Sequence, residues 1–539
     1  MPTKTIPLIL PTTARGWAAS IGTSAKDQQL INGLYLVSQN NLAKTKNVSI
    51  QKRGGSTTGS TIGTNAQVLT QYSGLNSSGV GFGALYSTSS ELFDGTTSMG
   101  SLAGNGPVAS QILADTVING VPVVAFVTTN EGWFLYLDAE TTNFPTFTGN
   151  RTSGSAVISG IASTTGIYKG QAISGTGIPA STRVLSVDSG TQITMDANAT
   201  SGAGTATTIT KEAIALITDA QFPSAPNSIV AMDGYFFAGA DDGVIYQSAI
   251  NDPSSWASSD TLTPDAFGDS ISFIFRVGNY IASAGMKYSI QYFYNAGNAS
   301  GSVLSPSENL NVVGLKLVTT PIPFSDGMYC VAQPGSSTAS GAEALYRLTG
   351  VNSFQKVSDS YWTDIISDGG VFALGSIQTP NKTLVAVLTA EAAFPVYDPS
   401  TGEFSIFVLS DWLRSSFATI FTKSAETTSF SWSGGDTWTD SSSAYTMTAQ
   451  TQPVFINGGS PFIIAHVDLI AGDTESTGTA TLYVTRDDYA TWESVGTFDM
   501  TAQRKRIHAL GWFQSNVAFK VEHSANTNFR AQALAVSWN

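Results

Sequence analysis

The sequence predicts an all-β chain: a β-propeller of about six blades, with a small inserted β domain and a C-terminal β-sandwich. Three observations predict it. Apolar runs of four to eight residues are punctuated throughout by Gly, Pro, Asn-Gly and Asp-Gly, while helical periodicity is hard to find. Only 12% of the 539 residues are charged, so Ser, Thr, Asn, Gln and Gly must supply the polar surface. Thr suits the pleat of a strand and Ser suits its turns. Strand-and-turn units recur at roughly forty to fifty residues, the size of a four-stranded blade. A propeller leaves only short, protected edges, which suits a long β chain that must not aggregate.

The length exceeds one core, and a hydrophobic share of 42% is enough to fill several. Residues 1–147 are expected to begin the propeller. Within them, 84–104 carries strands around Asp94-Gly95, and 117–138 carries strands separated by Asn130-Glu131-Gly132. Residues 148–212 are Gly/Ser/Thr-rich with few large aromatics, yet Val184, Ser186 and Asp188 still alternate with Leu185 and Val187. Sustained alternation favours a small inserted β domain over a disordered loop. Residues 213–430 continue the propeller. SIVAMDGYFFAGADDGVIYQSA (228–249) gives three strands around Asp233-Gly234 and Asp242-Gly243, and 372–409 gives three more with turns at 380–381 and 399–402. Residues 431–539 hold four well-separated strand or hairpin segments, enough for a compact sandwich.

One stretch shows how a unit is built. In VIYQSAINDPSSW (244–256), alternation marks a strand and Asn251-Asp252-Pro253 marks the turn, because Pro253 biases Asp252 away from helix and Asn and Asp side chains close turns on the backbone. Trp256 follows as an aromatic anchor.

The chemistry is sparse. Net charge is −14, so phosphate backbones are not drawn by counterion release and a sequence-reading DNA binder is disfavoured. The single cysteine, Cys330, excludes an intramolecular disulfide or a Cys-rich zinc site, and its strand context makes it a small buried hydrophobe. MPTKTIPLILPTTARGW does not read as an export signal, and no run is apolar and long enough for a membrane helix, so folding in a reducing cytoplasm is expected. There is no P-loop, no GxSxG and no HExxH. Gly79–Gly83 fits a turn or bulge, and Asp241-Asp242-Gly243 fits a hairpin turn better than calcium, whose spaced oxygen ligands are missing. His466, His508 and His523 stand in strand contexts and are expected to be structural. Arg504-Lys505-Arg506, the tight basic cluster, reads as a solvated loop, with a phosphate contact as the lesser alternative. No catalytic residue, cofactor or metal ligand is assigned.

Thr485-Arg486-Asp487-Asp488-Tyr489-Ala490-Thr491-Trp492 resembles the Asp-box of sialidase propellers and related β proteins, S-x-D-x-G-x-T-W, with Thr for Ser and Tyr for Gly. Residues 431–438 are a looser copy, with Ser433 at the Asp place. The resemblance implies that Asp487 shapes a hairpin and Trp492 packs beneath it, without chemistry. Gly175–Ala180 (GTGIPA) resembles modules scattered through phage tail and fibre proteins.

A longer succession carries a wider resemblance. Asp233-Gly234-Tyr235-Phe236, then Tyr246 to Trp256, then Tyr292 to Ser302 (YFYNAGNASGS) is similar to the tail hub, or nozzle, proteins of short-tailed bacteriophages, also called packaged-DNA stabilisation or head-closure proteins. Residues 27–55 and the Asp487 segment with Arg504–Arg506 fit more loosely; 148–212 departs from the pattern, and Gln291 stands where an acidic residue is expected. The resemblance implies a virion protein, assembled in the host cytoplasm, whose copies form a ring, six in number. That ring would lie below the portal and its adaptor, continue the channel for packaged double-stranded DNA, and anchor tail fibres, spikes or needle. It implies that Asn251, Asp252, Pro253 and Trp256 are structural. Two other expectations stand beside it: a carbohydrate-binding or sialidase-like glycoside-cleaving propeller, supported by the Asp-box-like turns and ten Trp, and a secreted adhesin, opposed by the missing export signal.

Overall fold

The computed structural model describes residues 1–8, 114–408 and 445–539 apart from short breaks (129, 138–145, 201, 203, 337–338, 380–381, 390–392, 452, 472–477, 488–489 and 528), residues 91–94 and 97–102, and, as backbone, strands within 30–87 and 412–444. Among the described residues strand dominates, and the one α-helix is Ser360–Asp368.

Among the described residues, six antiparallel sheets follow one another along the chain. The first has strands Gln67–Gln71, Ala84–Ser87, Glu91–Asp94 and Thr97–Ser101; the second has Ala114–Ile118, Val121–Val127, Gly132–Tyr136 and Gly204–Leu216. The third spans 226–262, the fourth 271–306, the fifth 315–356 and the sixth 371–408. One apolar core fills each gap between neighbours. Leu92 and Met99 meet Val124 and Trp133; Val123 and Phe134 meet Ile229 and Phe236; Phe237 meets Ile274 and Ile281; Phe275 and Tyr292 meet Cys330 and Tyr346; Val331 and Leu345 meet Val385 and Phe404. Sheets buried on both faces need strands that are apolar nearly throughout, which explains runs such as VPVVAFV at Val121–Val127. The short helix Ser360–Asp368, capped by Asp359 on the Trp362 N–H at 3.0 Å, wedges Trp362 against Phe404 in the last of these gaps.

A further sheet closes the ring of sheets. Ser56–Thr61 pairs with Thr428–Trp432, which continues through Ile420–Lys423. Thr428–Trp432 neighbours the sixth sheet at Val371–Thr379, and Ile420–Lys423 neighbours the first at Gln67–Gln71. Unlike the sheets made from contiguous chain, this one joins segments more than 350 residues apart, as the pairing of Thr61 with Thr428 shows.

The sandwich draws on both ends of the chain. One of its sheets contains Thr3–Pro7, Gly33–Asn40, Thr45–Lys52, Phe462–Ala471, Arg506–Phe513 and Arg530–Trp538; the other contains Met447–Gln450, Thr479–Thr485, Glu493–Asp499 and Asn516–His523. Phe462, Ile464, Phe498, Phe513 and Phe519 lie in its core. The expected placement of 1–147 in the propeller is therefore corrected for strands Thr3–Pro7, Gly33–Asn40 and Thr45–Lys52: Thr3–Pro7 and Thr45–Lys52 pair with Arg530–Trp538, and Gly33–Asn40 pairs with Thr45–Lys52. The physical reason is an open sheet edge, which takes whichever strand reaches it. The sandwich is also continuous with the ring, because Ile31 pairs with Ile406 of the sixth sheet and with Thr448 of the sandwich.

The insert is a domain with its own core of Ile158, Ile173, Val184, Ile193, Met195 and Ile209. It leaves between the third and fourth strands of the second sheet. The thirteen-residue strand Gly204–Leu216 belongs to both units: Thr207–Thr210 pair with Thr146–Gly149 of the insert, and Ala215 and Leu216 pair with Phe134 and Trp133 of the blade.

Candidate functional site

The residues singled out around 251 lie where the second sheet, the third sheet and the insert meet. Strand Ile245–Ala249 turns at Ile250-Asn251 into strand Asp252–Leu262. The turn thus comes one residue earlier than expected. Asn251 takes the left-handed conformation, φ 56°, and its N–H donates to the Gly234 carbonyl at 2.8 Å. Asp252 Oδ1 accepts from the Ser254 N–H and Oγ at 2.9 and 2.7 Å. Pro253 sits inside the outermost strand of its sheet, where no ladder donor is needed. Trp256 is 5% exposed and packs in the core between the second and third sheets. Its indole N–H donates to the Pro253 carbonyl at 2.9 Å, its backbone N–H donates to Asp219 Oδ2 at 3.1 Å, and Phe222 meets its ring edge-on at 4.9 Å.

The insert docks on the same corner. Tyr168 stacks on Tyr136 at 3.9 Å between ring centres. Burial, with Asp252 nearby, pushes the Tyr136 phenol up to about 12. Lys169 Nζ donates to the Ser254 carbonyl at 3.4 Å. The Arg183 guanidinium lies 5.2 Å from the centre of the buried Trp133 ring and donates to the Gly170 carbonyl at 2.9 Å. Burial draws Arg183 below its usual range, opposed by Glu212, Glu131 and Asp196. Glu212 is pushed up by burial while accepting from the Ser101 N–H at 3.1 Å, and Glu131 Oε2 is buried without a hydrogen-bond partner. Gly170, at φ 89°, is where the insert's chain touches the outer strand; a Cβ there would overlap the Leu216 carbonyl oxygen.

Sequence reasoning missed Trp133, Tyr136, Tyr168, Arg183 and Glu212. The sequence signal was the four basic residues of a segment otherwise poor in charge; in the structure all four donate to backbone carbonyls, Arg151 to Gly202, Lys169 to Ser254, Arg183 to Gly170 and Lys211 to Gly166. They fasten loops. The corner carries a cation, aromatic faces and shielded carboxyls, but the hydrogen bonds found there link no nucleophile to a base.

Asp487 and Trp492 lie far from this corner in the chain, at a hairpin of the sandwich. Asp487 accepts from Thr485 Oγ1 at 2.9 Å, the Thr491 N–H at 2.9 Å and Thr491 Oγ1 at 2.5 Å, which hold its carboxyl below the usual range, Thr491 foremost. Trp492 faces the Lys520 ammonium at 5.2 Å. The Asp-box-like turn is thus a sandwich hairpin and not a blade hairpin. Its looser copy falls largely outside the described residues, at 433–438, as does Gly79–Gly83. The basic cluster binds a carboxylate of the chain itself: Arg506 grips Asp468 through both oxygens at 2.5 Å, Arg504 adds a contact at 3.2 Å, and Lys505 is buried on the Ala502 carbonyl. Asp242 closes a hairpin, accepting from the Val244 N–H and the Tyr246 hydroxyl. Gln291 is buried and its Oε1 accepts from the Ala266 N–H at 3.3 Å.

No protein-family model and no curated protein matches the sequence. Among solved structures, the chain is similar to BBS1N in complex with ARL6DN (10% identity, 71% of this chain and 98% of that one, TM-score 0.31). It is similar to the computationally designed Ika8 protein (11% identity, 69% and 98%, TM-score 0.31). It is also similar to an exo-beta-1,3-galactanase from Phanerochaete chrysosporium (9% identity, 84% and 100%, TM-score 0.28). At these scores the likenesses carry no functional argument. Among the described residues no helix is long and apolar enough to cross a membrane, and no group of three metal-ligating side chains occurs.

Proposed function

We propose that this chain is a structural protomer of a tail hub in a short-tailed bacteriophage, a non-enzymatic component that forms a ring below the portal adaptor. In this reading it extends the channel for packaged double-stranded DNA, helps retain the genome and anchors fibres, spikes or needle. One observation carries it. The three phrases that resemble the family fold into two adjacent sheets and touch one another: the Asn251 N–H reaches the Gly234 carbonyl at 2.8 Å, Asn295 Nδ2 reaches Asp233 Oδ2 at 2.9 Å, and Gln247 Oε1 accepts from Ser302 Oγ and the Val303 N–H at 2.9 Å. The succession is thus one spatial unit and not three separate turns.

Two further features support the reading. The sixth sheet runs through Leu30–Ile31 into the sandwich, so a load on one unit passes to the other through backbone hydrogen bonds. A net charge of −14 disfavours adhesion to DNA sliding past. Negative-stain microscopy and mass photometry of the purified chain, alone and with its adaptor ring, test the proposal. Rings of six copies are expected. A chain that stays monomeric beside the adaptor, or one that turns over a glycan panel, would overturn it.

A further inference from the structure

On the outward face of the sandwich, antiparallel strands Phe462–Ala471 and Arg506–Phe513 bring two imidazoles together. His466 pairs directly with His508, their ring centres 6.0 Å apart. The next pair on that face is Asp468 with Arg506, and Ser537 and Thr3 extend the His466 row across two more strands, their hydroxyls 2.9 Å apart. The register slips by a bulge between Ile464 and His466, and opposite it Ala509 is held at φ 57°, a conformation that costs an L-residue about 1–2 kcal/mol. Bulges re-aim side chains and local strain gathers at functional sites.

We infer that His466 and His508 form a two-imidazole chelate for a divalent transition metal of the zinc, nickel or copper class. A metal–nitrogen bond of about 2.0–2.1 Å to each ring puts ring centres roughly 5–6.5 Å apart, which brackets the separation observed. Arg504 and Arg506 hold Asp468, so the site offers nitrogen ligands and leaves the remaining positions of a four-coordinate metal to water. The background is low: the third histidine, His523, and the sole cysteine, Cys330, are buried. The inference is independent of the tail-hub reading.

The test is calorimetric titration of the full chain with zinc, nickel and copper chlorides in a non-coordinating buffer near neutral pH, with imidazole resonances followed by NMR. One saturable site is expected, with an affinity on the order of micromolar. His466→Ala and His508→Ala should each weaken it at least about tenfold. His508→Cys, which keeps a ligand at that place, should retain zinc. His508 is exposed, so its variants should melt as the parent does. No saturable binding up to ~1 mM metal, or binding unchanged in both alanine variants, would overturn the inference.

Discussion

Trp256→Ala probes the wedge between the second and third sheets. A buried aromatic of this size removes about 150–250 Å² from water, which at about 25 cal/mol per Å² amounts to about 4–6 kcal/mol. An extended-chain reference overstates that burial, and measured truncations of buried Trp cost about 3–5 kcal/mol. Trp256 fits the upper part of that range: it is 5% exposed, meets Phe222 edge-on at 4.9 Å, and satisfies the Pro253 carbonyl at 2.9 Å. Trp256→Phe keeps an aromatic ring but leaves that carbonyl unpaired, so it should cost only about 1–2 kcal/mol. The assay is scanning calorimetry of parent and both variants. For a unit this large about 4 kcal/mol lowers Tm by about 5 °C. An alanine variant within about 1 °C of the parent, or a phenylalanine variant as damaged as alanine, would refute the wedge.

Asn251→Gly should be near neutral, whereas Asn251→Ala should cost about 1 kcal/mol in urea unfolding, because only the glycine tolerates φ 56° freely. Asp487→Ala should lower the Tm of the sandwich at neutral pH. A carboxyl whose folded pKa is depressed stabilises above its ordinary 3.8 and loses that contribution as acid protonates it, so parent and variant should converge below that pH. Glu212→Gln should match or exceed the parent at neutral pH. The Glu212 pKa is raised, so its ionised form weighs against folding as pH rises through the ordinary 4.5, and the variant's advantage should fade below it. Arg183→Ala should loosen the insert, read as faster limited proteolysis of 146–216 with little change in ring melting.

Strands with local partners were legible in the sequence. Asp233-Gly234 and Asp242-Gly243 bracket Tyr235–Ala240 as expected, and the four strand or hairpin segments expected within 462–538 appear as the strands from Phe462–Ala471 to Arg530–Trp538. Long-range pairings were not legible. TKTIP at Thr3–Pro7 is too short to carry a face preference, and its partner lies at Ala533–Ser537. Ser56–Thr61 reads as a polar turn-rich stretch, yet it pairs with Thr428–Trp432. Arg504 and Arg506 look solvated until Asp468, on a different strand, is placed between them. His466 and His508 look solitary because a bulge shifts the register that pairs them. Side-chain partners across a sheet depend on register, and register depends on the whole fold.

The same pairings bear on mechanics. A ring of sheets built only from consecutive chain could open at the seam between its first and last sheets. Here the seam is bridged by Ser56–Thr61 lying beside Thr428–Trp432, and Leu30–Ile31 ties the sixth sheet to the sandwich. Each bridge takes one strand from the N-terminal segment, Ser56–Thr61 in the seam sheet and Leu30–Ile31 beside the sixth sheet, so that segment straps ring and sandwich together. Splitting the chain should therefore separate the roles of its parts. Deleting residues 1–61 would leave six local sheets intact as sequences, yet should yield a protein that melts in separate steps, with ring and sandwich no longer cooperating. A truncated chain that unfolds in the parent's single transition would show that the strap carries no load.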